Sequence, residues 1–149
     1  MMEKMIKNLQ KKSNKKGFTL VEIIVVLVIL AILAAIAIPS VMGYVNDAKE
    51  SKYIQEARSI YLVVQTEEAR WRAENNKKST DAVDASVYTN LGKDCTDPQG
   101  GIVKQKTDLT DVTITPPSGS TKYYTFTWTS DGSSITAHLT TNKDVKIIK

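Results

Sequence analysis

The chain has 149 residues, enough for one small domain, and a formal net charge of +4. Six lysines and one acid lie in the first 17 residues, and the 14 basic and 15 acidic residues that follow give a net charge of −1. The high pI therefore does not indicate a nucleic-acid-binding surface. Cys95 is the single cysteine, which excludes an intramolecular disulfide. We expect a free thiol in a loop or packing position; the alternative is a disulfide between two chains.

Residues 18–38 form a membrane-length apolar segment in which only Thr19 and Glu22 are not apolar. As a helix this segment is about 31 Å long, close to the roughly 30 Å hydrocarbon core of a bilayer. Because the lysines lie immediately before it, the sequence predicts a cytoplasmic N-terminus and a translocated C-terminal part.

Two kinds of processing are compatible with this segment. A general secretory signal would be cut after Ala37, so that Ile38 became the first residue. Alternatively, the cut precedes the apolar run, which then stays in the mature protein. Glu22 favours the second, because an ionisable residue inside a membrane span costs about 3 kcal/mol and usually has a functional partner. The competing interpretation is that Glu22 lies near the cytoplasmic interface and contacts water.

The run Lys-Lys-Gly-Phe-Thr-Leu-Val-Glu at residues 15–22, followed by an apolar stretch, resembles the class III signal of type IV prepilins. The resemblance covers residues 15–44. It implies cleavage between Gly17 and Phe18 by a prepilin peptidase and N-methylation of Phe18 by the same enzyme. It also implies an assembly charge pair between Glu22 and the Phe18 amine of a neighbouring subunit. Gly17 suits the cleavage site, since it has no side chain to obstruct a protease.

The function that this resemblance implies is structural, with no enzymatic activity and no cofactor. The chain is expected to be a type IV pilin that polymerises into a homo-oligomeric helical filament for adhesion, motility or aggregation. Pseudopilins of type II secretion and competence pilins for DNA uptake are the alternatives; a binding protein released by signal peptidase is more remote. The implied partners are the prepilin peptidase and N-methyltransferase, a pilus assembly platform protein and its ATPase.

The implied location is the cytoplasmic membrane before assembly and the cell surface afterwards. Many Gram-negative type IV pilins have a C-terminal disulfide loop, which one cysteine cannot form. Together with the lysine-rich N-terminus, this favours a Gram-positive source. No specific nucleic-acid binding is expected.

A helical pattern continues to about Glu74, and Pro39 and Gly43 predict a kink in one long helix. Many pilins carry a glycine in the middle of the apolar part, where this chain has Ala31. The predicted divisions are a leader at 1–17, a membrane and filament-core helix at 18–38, and an amphipathic helical half at 39–75. A globular head follows at 76–149.

Residues 111–149 predict an antiparallel sheet of three or four strands. Apolar residues alternate with threonine, as in Tyr124, Phe126 and Trp128, which predicts one buried face. Asp131-Gly132 predicts a hairpin turn. A sheet with one apolar face needs a cover, which the long helix supplies. The fold class is therefore α+β, with the kinked helix packed on the sheet.

The segment 76–110 has weak periodicity and predicts a long surface connection. We expect residues 94–101 and 116–121 on the exterior. His138, the single histidine, falls on the polar face of a strand and is expected to be solvated. Four aspartates lack the spacing of a known calcium loop, so no metal site is predicted; they are Asp94, Asp97, Asp108 and Asp111.

Overall fold

The computed structural model describes residues 3, 4, 17–92 and 101–148. Within these residues it contains one long helix, α1, two short helices and four strands. The bounds are α1 Leu20–Glu74, α2 Ala85–Gly92, α3 Ile102–Thr107, β1 Thr110–Thr115, β2 Tyr123–Ser130, β3 Ser133–Thr140 and β4 Val145–Ile148. The strands form one antiparallel sheet in chain order. The predicted α+β class is confirmed.

The chain divides into two compact units, residues 1–45 and 46–149. In the first, the described part of α1 is apolar, and its large side chains are exposed from Leu20 to Val45. Pro39 lies inside α1. The kink at Pro39 and Gly43 stays a prediction.

In the second unit, α1 buries one stripe of side chains that includes Ala57, Ile60 and Val64, all at 0% exposure. Their spacing of three and four residues places them on one helix face. Tyr53 is buried with them. This stripe belongs to one hydrophobic core with the inner face of the sheet, so the helix covers the sheet as predicted.

The sheet shows the predicted alternation. Phe126 and Trp128 on β2 are fully buried, whereas Thr125, Thr127 and Thr129, which alternate with them, are partly exposed. The β2–β3 turn is Asp131-Gly132, with φ values of 51° and 74°. Two successive positive φ values fit a type I′ turn, which Asp-Gly adopts readily. The predicted hairpin is confirmed.

The segment 76–110, predicted to be a loop region, contains α2 and α3. Tyr88 and Leu91 of α2 and Val103 of α3 are buried in the core. The prediction of an irregular surface connection is therefore wrong for these residues. Neither helix shows clear periodicity in the sequence, because each buries only one or two side chains. The predicted exterior at 94–100 lies outside the described residues, and Gly101 is buried.

Candidate processing and assembly site

The chain enters α1 through three non-helical residues, Gly17, Phe18 and Thr19. Phe18 is 84% exposed. A Cβ atom added to Gly17 would meet no other atom within 4 Å. The predicted cleavage bond between Gly17 and Phe18 therefore lies on open chain outside the helix, in a form that a protease cleft can bind.

Thr19 and Glu22 form a reciprocal capping box at the start of α1. The Thr19 backbone N–H donates to Glu22 Oε2 at 2.8 Å, and the Thr19 hydroxyl lies 3.0 Å from the same oxygen. In return, the Glu22 N–H donates to Thr19 Oγ1 at 3.3 Å. The Thr19 carbonyl accepts the first helical bond, from Ile23 N–H at 3.2 Å. Thr19 is thus the N-cap of α1, and this arrangement satisfies donors that a helix start otherwise leaves unpaired.

The large side chains in the apolar part of α1 are exposed within the described residues. Among the described helices, α1 is long and apolar enough to cross a membrane, and its most apolar 18-residue window is 0% buried. Exposed apolar patches of this extent mark a membrane or protein contact surface.

A family model for the prokaryotic N-terminal methylation motif matches residues 12–38. The chain carries the class III signal of type IV prepilins. This signal implies processing by a prepilin peptidase and assembly into pilus-like filaments. The apolar helix and the signal together fit a protein anchored in the membrane before assembly.

The class III signal supports a pilin-like protein, a group that is structural rather than enzymatic. Pilins, secretion pseudopilins and competence pilins share this signal, so it does not distinguish among them. No curated protein and no solved structure matched this chain in the corresponding comparisons.

In the second unit, residues 46–149, which we call the head from here on, Glu68 of α1 is a buried carboxylate with its side chain 8% exposed. Its Oε1 accepts from the hydroxyls of Tyr88 at 2.7 Å and Tyr124 at 2.8 Å. Arg72 Nη1 lies 3.4 Å from Oε2. Burial, followed by the hydrogen bond to the carboxylate, raises the pKa of both tyrosines above the ordinary value. Glu68 thus joins α1, α2 and β2.

A second carboxylate of α1, Glu56, is bound by the sheet. Its Oε2 accepts from Trp128 Nε1 at 2.8 Å, and its Oε1 accepts from the Ser130 hydroxyl at 3.0 Å. Lys52, one turn earlier, contacts Asp131 in the hairpin turn at 2.7 Å. That hydrogen bond lowers the pKa of Asp131 and raises the pKa of Lys52. The helical pattern had not indicated these contacts, because charged residues on a helix usually face solvent.

The remaining candidate residues take structural positions or fall outside the described residues. His138 is half-buried on the outer sheet face and stacks on Tyr123, with ring centroids 4.1 Å apart. Asp108 ends α3 with φ 64°, and Asp111 accepts from the Thr129 hydroxyl at 3.0 Å. Asp94, Cys95 and Asp97 lie outside the described residues.

Proposed function

We propose that this chain is a structural subunit of a type IV pilus and that it polymerises through the helix at residues 18–38. The observation that carries the proposal is the uncovered apolar face of α1 directly after a class III signal. The membrane covers this face before assembly. In the filament, the same helices of neighbouring subunits cover one another, which keeps apolar surface out of water at both stages.

Maturation is proposed to remove residues 1–17 and to leave Phe18 as a methylated N-terminus. The support is the open, non-helical position of the Gly17–Phe18 bond. N-terminal sequencing and mass spectrometry of the mature protein test this directly. N-methyl-Phe18 is the expected first residue. Ile38 as the first residue would overturn the proposal, because it would mean that the filament helix had been discarded.

Assembly is proposed to pair the Glu22 carboxylate with the Phe18 amine of a neighbouring subunit. A lone carboxylate in an apolar bundle is costly, and an opposite charge in contact offsets much of that cost. The pair also selects the axial register between helices, in the manner of a buried polar residue in a coiled coil.

The topology proposed before assembly is a cytoplasmic leader with the head outside, followed by transfer to the cell-surface filament. The assembly platform protein and ATPase act on the membrane-held form, and the source is proposed to be Gram-positive. Immunogold labelling with an antibody to the head tests the location. Labelling along surface fibres is expected for a pilin. Absence of labelled fibres, with loss of protein secretion or DNA uptake on deletion, would reassign the chain to the alternative classes.

A further inference from the structure

The capping box uses only one of the two oxygens of the Glu22 carboxylate. Both donors of Thr19, its amide and its hydroxyl, contact Oε2 at 2.8 and 3.0 Å. Among the hydrogen bonds of the described residues, Oε1 of Glu22 accepts none. One oxygen is therefore held at the start of α1, and the other is available to a further donor.

Cleavage between Gly17 and Phe18 leaves the capping box of Thr19 and Glu22 intact. The amide that binds Oε2 is the peptide between Phe18 and Thr19, one residue from the Phe18 nitrogen. None of the three capping bonds involves Gly17. Cutting the Gly17–Phe18 bond therefore removes none of them, and the mature subunit retains the arrangement.

Two donors to one carboxylate oxygen also reduce the cost of holding Glu22 in the membrane before assembly. A buried ionised group that accepts hydrogen bonds is much less costly than one without partners. Hydrogen bonds to charged groups are moreover stronger than those between neutral groups. The box thus holds the Glu22 side chain in one orientation before the subunit assembles.

We propose that Thr19 is a positioning residue for filament assembly: its hydroxyl and amide hold Oε2 of Glu22, so that Oε1 receives the Phe18 amine of a second copy of this chain. This inference rests on the proposed charge pair between Glu22 and Phe18. Thr19 itself does not contact the incoming amine in this arrangement. Its effect passes through the orientation of the Glu22 side chain.

The test compares full-length chains with Thr19→Val, which keeps the side-chain shape and removes the hydroxyl, and Thr19→Ser, which keeps the hydroxyl. Cleaved subunit and sheared filament are both quantified, and the ratio of filament to cleaved subunit is the readout. Thr66→Val is the matched control, because that hydroxyl donates only to the Leu62 carbonyl of the same helix. Glu22→Ala tests the underlying charge pair in the same assay.

We expect Thr19→Val to lower the ratio about tenfold, as loss of a hydrogen bond to a charged group predicts. Thr19→Ser and Thr66→Val should resemble the parent. If Thr19→Val also impairs cleavage, Thr19→Ala provides the second chain without the hydroxyl. Combining Thr19→Val with Glu22→Ala should lower assembly no further than Glu22→Ala alone.

Normal assembly of the cleaved Thr19→Val chain, with Glu22→Ala defective, would overturn the positioning role and leave the charge pair intact. Normal assembly of Glu22→Ala would overturn the charge pair itself. Equal losses for Thr19→Val and Thr19→Ser would also contradict the proposal, because the serine hydroxyl can make the same bonds.

Discussion

At the scale of single residues, the stability of the head depends on glutamate side chains of α1 that accept hydrogen bonds from the sheet. Glu68 is the clearest case, since two tyrosine hydroxyls share its Oε1. A buried carboxylate alone would be destabilising, but one that accepts from several donors is well accommodated. The helical pattern predicts an amphipathic helix up to about Glu74, but nothing in it distinguishes a buried glutamate from an exposed one.

Replacing Glu68 with Leu should lower the free energy of unfolding of the head by about 3 kcal/mol, because it leaves the Tyr88 and Tyr124 hydroxyls buried without their acceptor. Urea unfolding of the detergent-solubilised chain, followed by tryptophan fluorescence, measures the loss. Glu74→Gln is the control, since Glu74 is in an exposed ion pair with Arg70 and should change stability by less than about 1 kcal/mol.

Removing the two hydroxyls as well, by Tyr88→Phe and Tyr124→Phe in the Glu68→Leu chain, should recover much of that loss. Replacing both partners of a buried polar contact by apolar groups of the same shape is often nearly neutral. If the triple variant is less stable than Glu68→Leu, the tyrosines contribute through something other than this contact.

The same cluster predicts sensitivity to alkali. The pKa of both tyrosines is raised in the folded state, first by burial and then by the Glu68 carboxylate. Below the ordinary tyrosine pKa of about 10 their contribution to stability is fully present, and it falls as the pH rises above that value towards the raised pKa. Tyrosinate absorbance and fluorescence should therefore report ionisation of Tyr88 and Tyr124 together with unfolding. Their ionisation in a fully folded head near pH 10 would contradict the burial argument.

At the scale of elements, the close approach of α2 to β1 depends on a glycine. A Cβ atom at Gly92 would collide with the Val112 carbonyl oxygen of the edge strand. α2 begins after Asp84, whose Oδ1 accepts from the Ser86 N–H at 2.8 Å. Hydrogen bonding to the Ser86 side chain, and then to its N–H, lowers the Asp84 pKa. Asp84 is a recognisable N-cap residue. That signal, with Tyr88 and Leu91 three residues apart, was the available indication of this helix.

Gly92→Ala should destabilise the head by about 2 kcal/mol, because the added methyl group forces α2 and β1 apart. The measurement is the shift in the urea midpoint at unchanged slope. Thr89→Ala is the control on the same helix, since the Thr89 hydroxyl contacts only its own helix backbone, and it should lie within about 0.5 kcal/mol of the parent. Equal stability of Gly92→Ala and the parent would show that α2 can move away from β1 without lowering the free energy of unfolding.

At the scale of the whole molecule, the two parts of the chain differ in what covers their apolar side chains. The head buries its core around α1, the sheet and the two short helices. Residues 20–45 expose their large apolar side chains, so this segment needs a membrane or other subunits to cover it. We propose that processing at Gly17 allows this segment to leave the membrane and to pack against other subunits.

Gly17→Trp should therefore leave a full-length precursor that stays in the membrane and is absent from filaments. The reason is that the bulky side chain blocks the approach of the peptidase to the bond before Phe18. Immunoblotting of membrane and filament fractions measures this. A mature-sized band from the Gly17→Trp chain would show that the cut lies elsewhere. The urea midpoint of its head should match the parent, which would separate a processing defect from a folding defect.

The sequence by itself determined the features that local chemistry controls. The lysines, the apolar run and the motif at residues 15–22 identified the signal, while alternation along β2 and β3 and the Asp131-Gly132 turn predicted the sheet. The Thr19-x-x-Glu22 capping box was also readable as a helix-start signal.

Only the tertiary structure decided which polar residues are buried and how 76–110 folds. Glu68 is buried and Glu56 is partly buried, because Tyr88, Tyr124 and Trp128 supply donors from distant parts of the chain. Likewise, α2 and α3 are held by a core that residues 76–110 cannot form alone. The physical reason is the same in both cases. Such groups gain stability from partners far away in sequence, which a local pattern does not record.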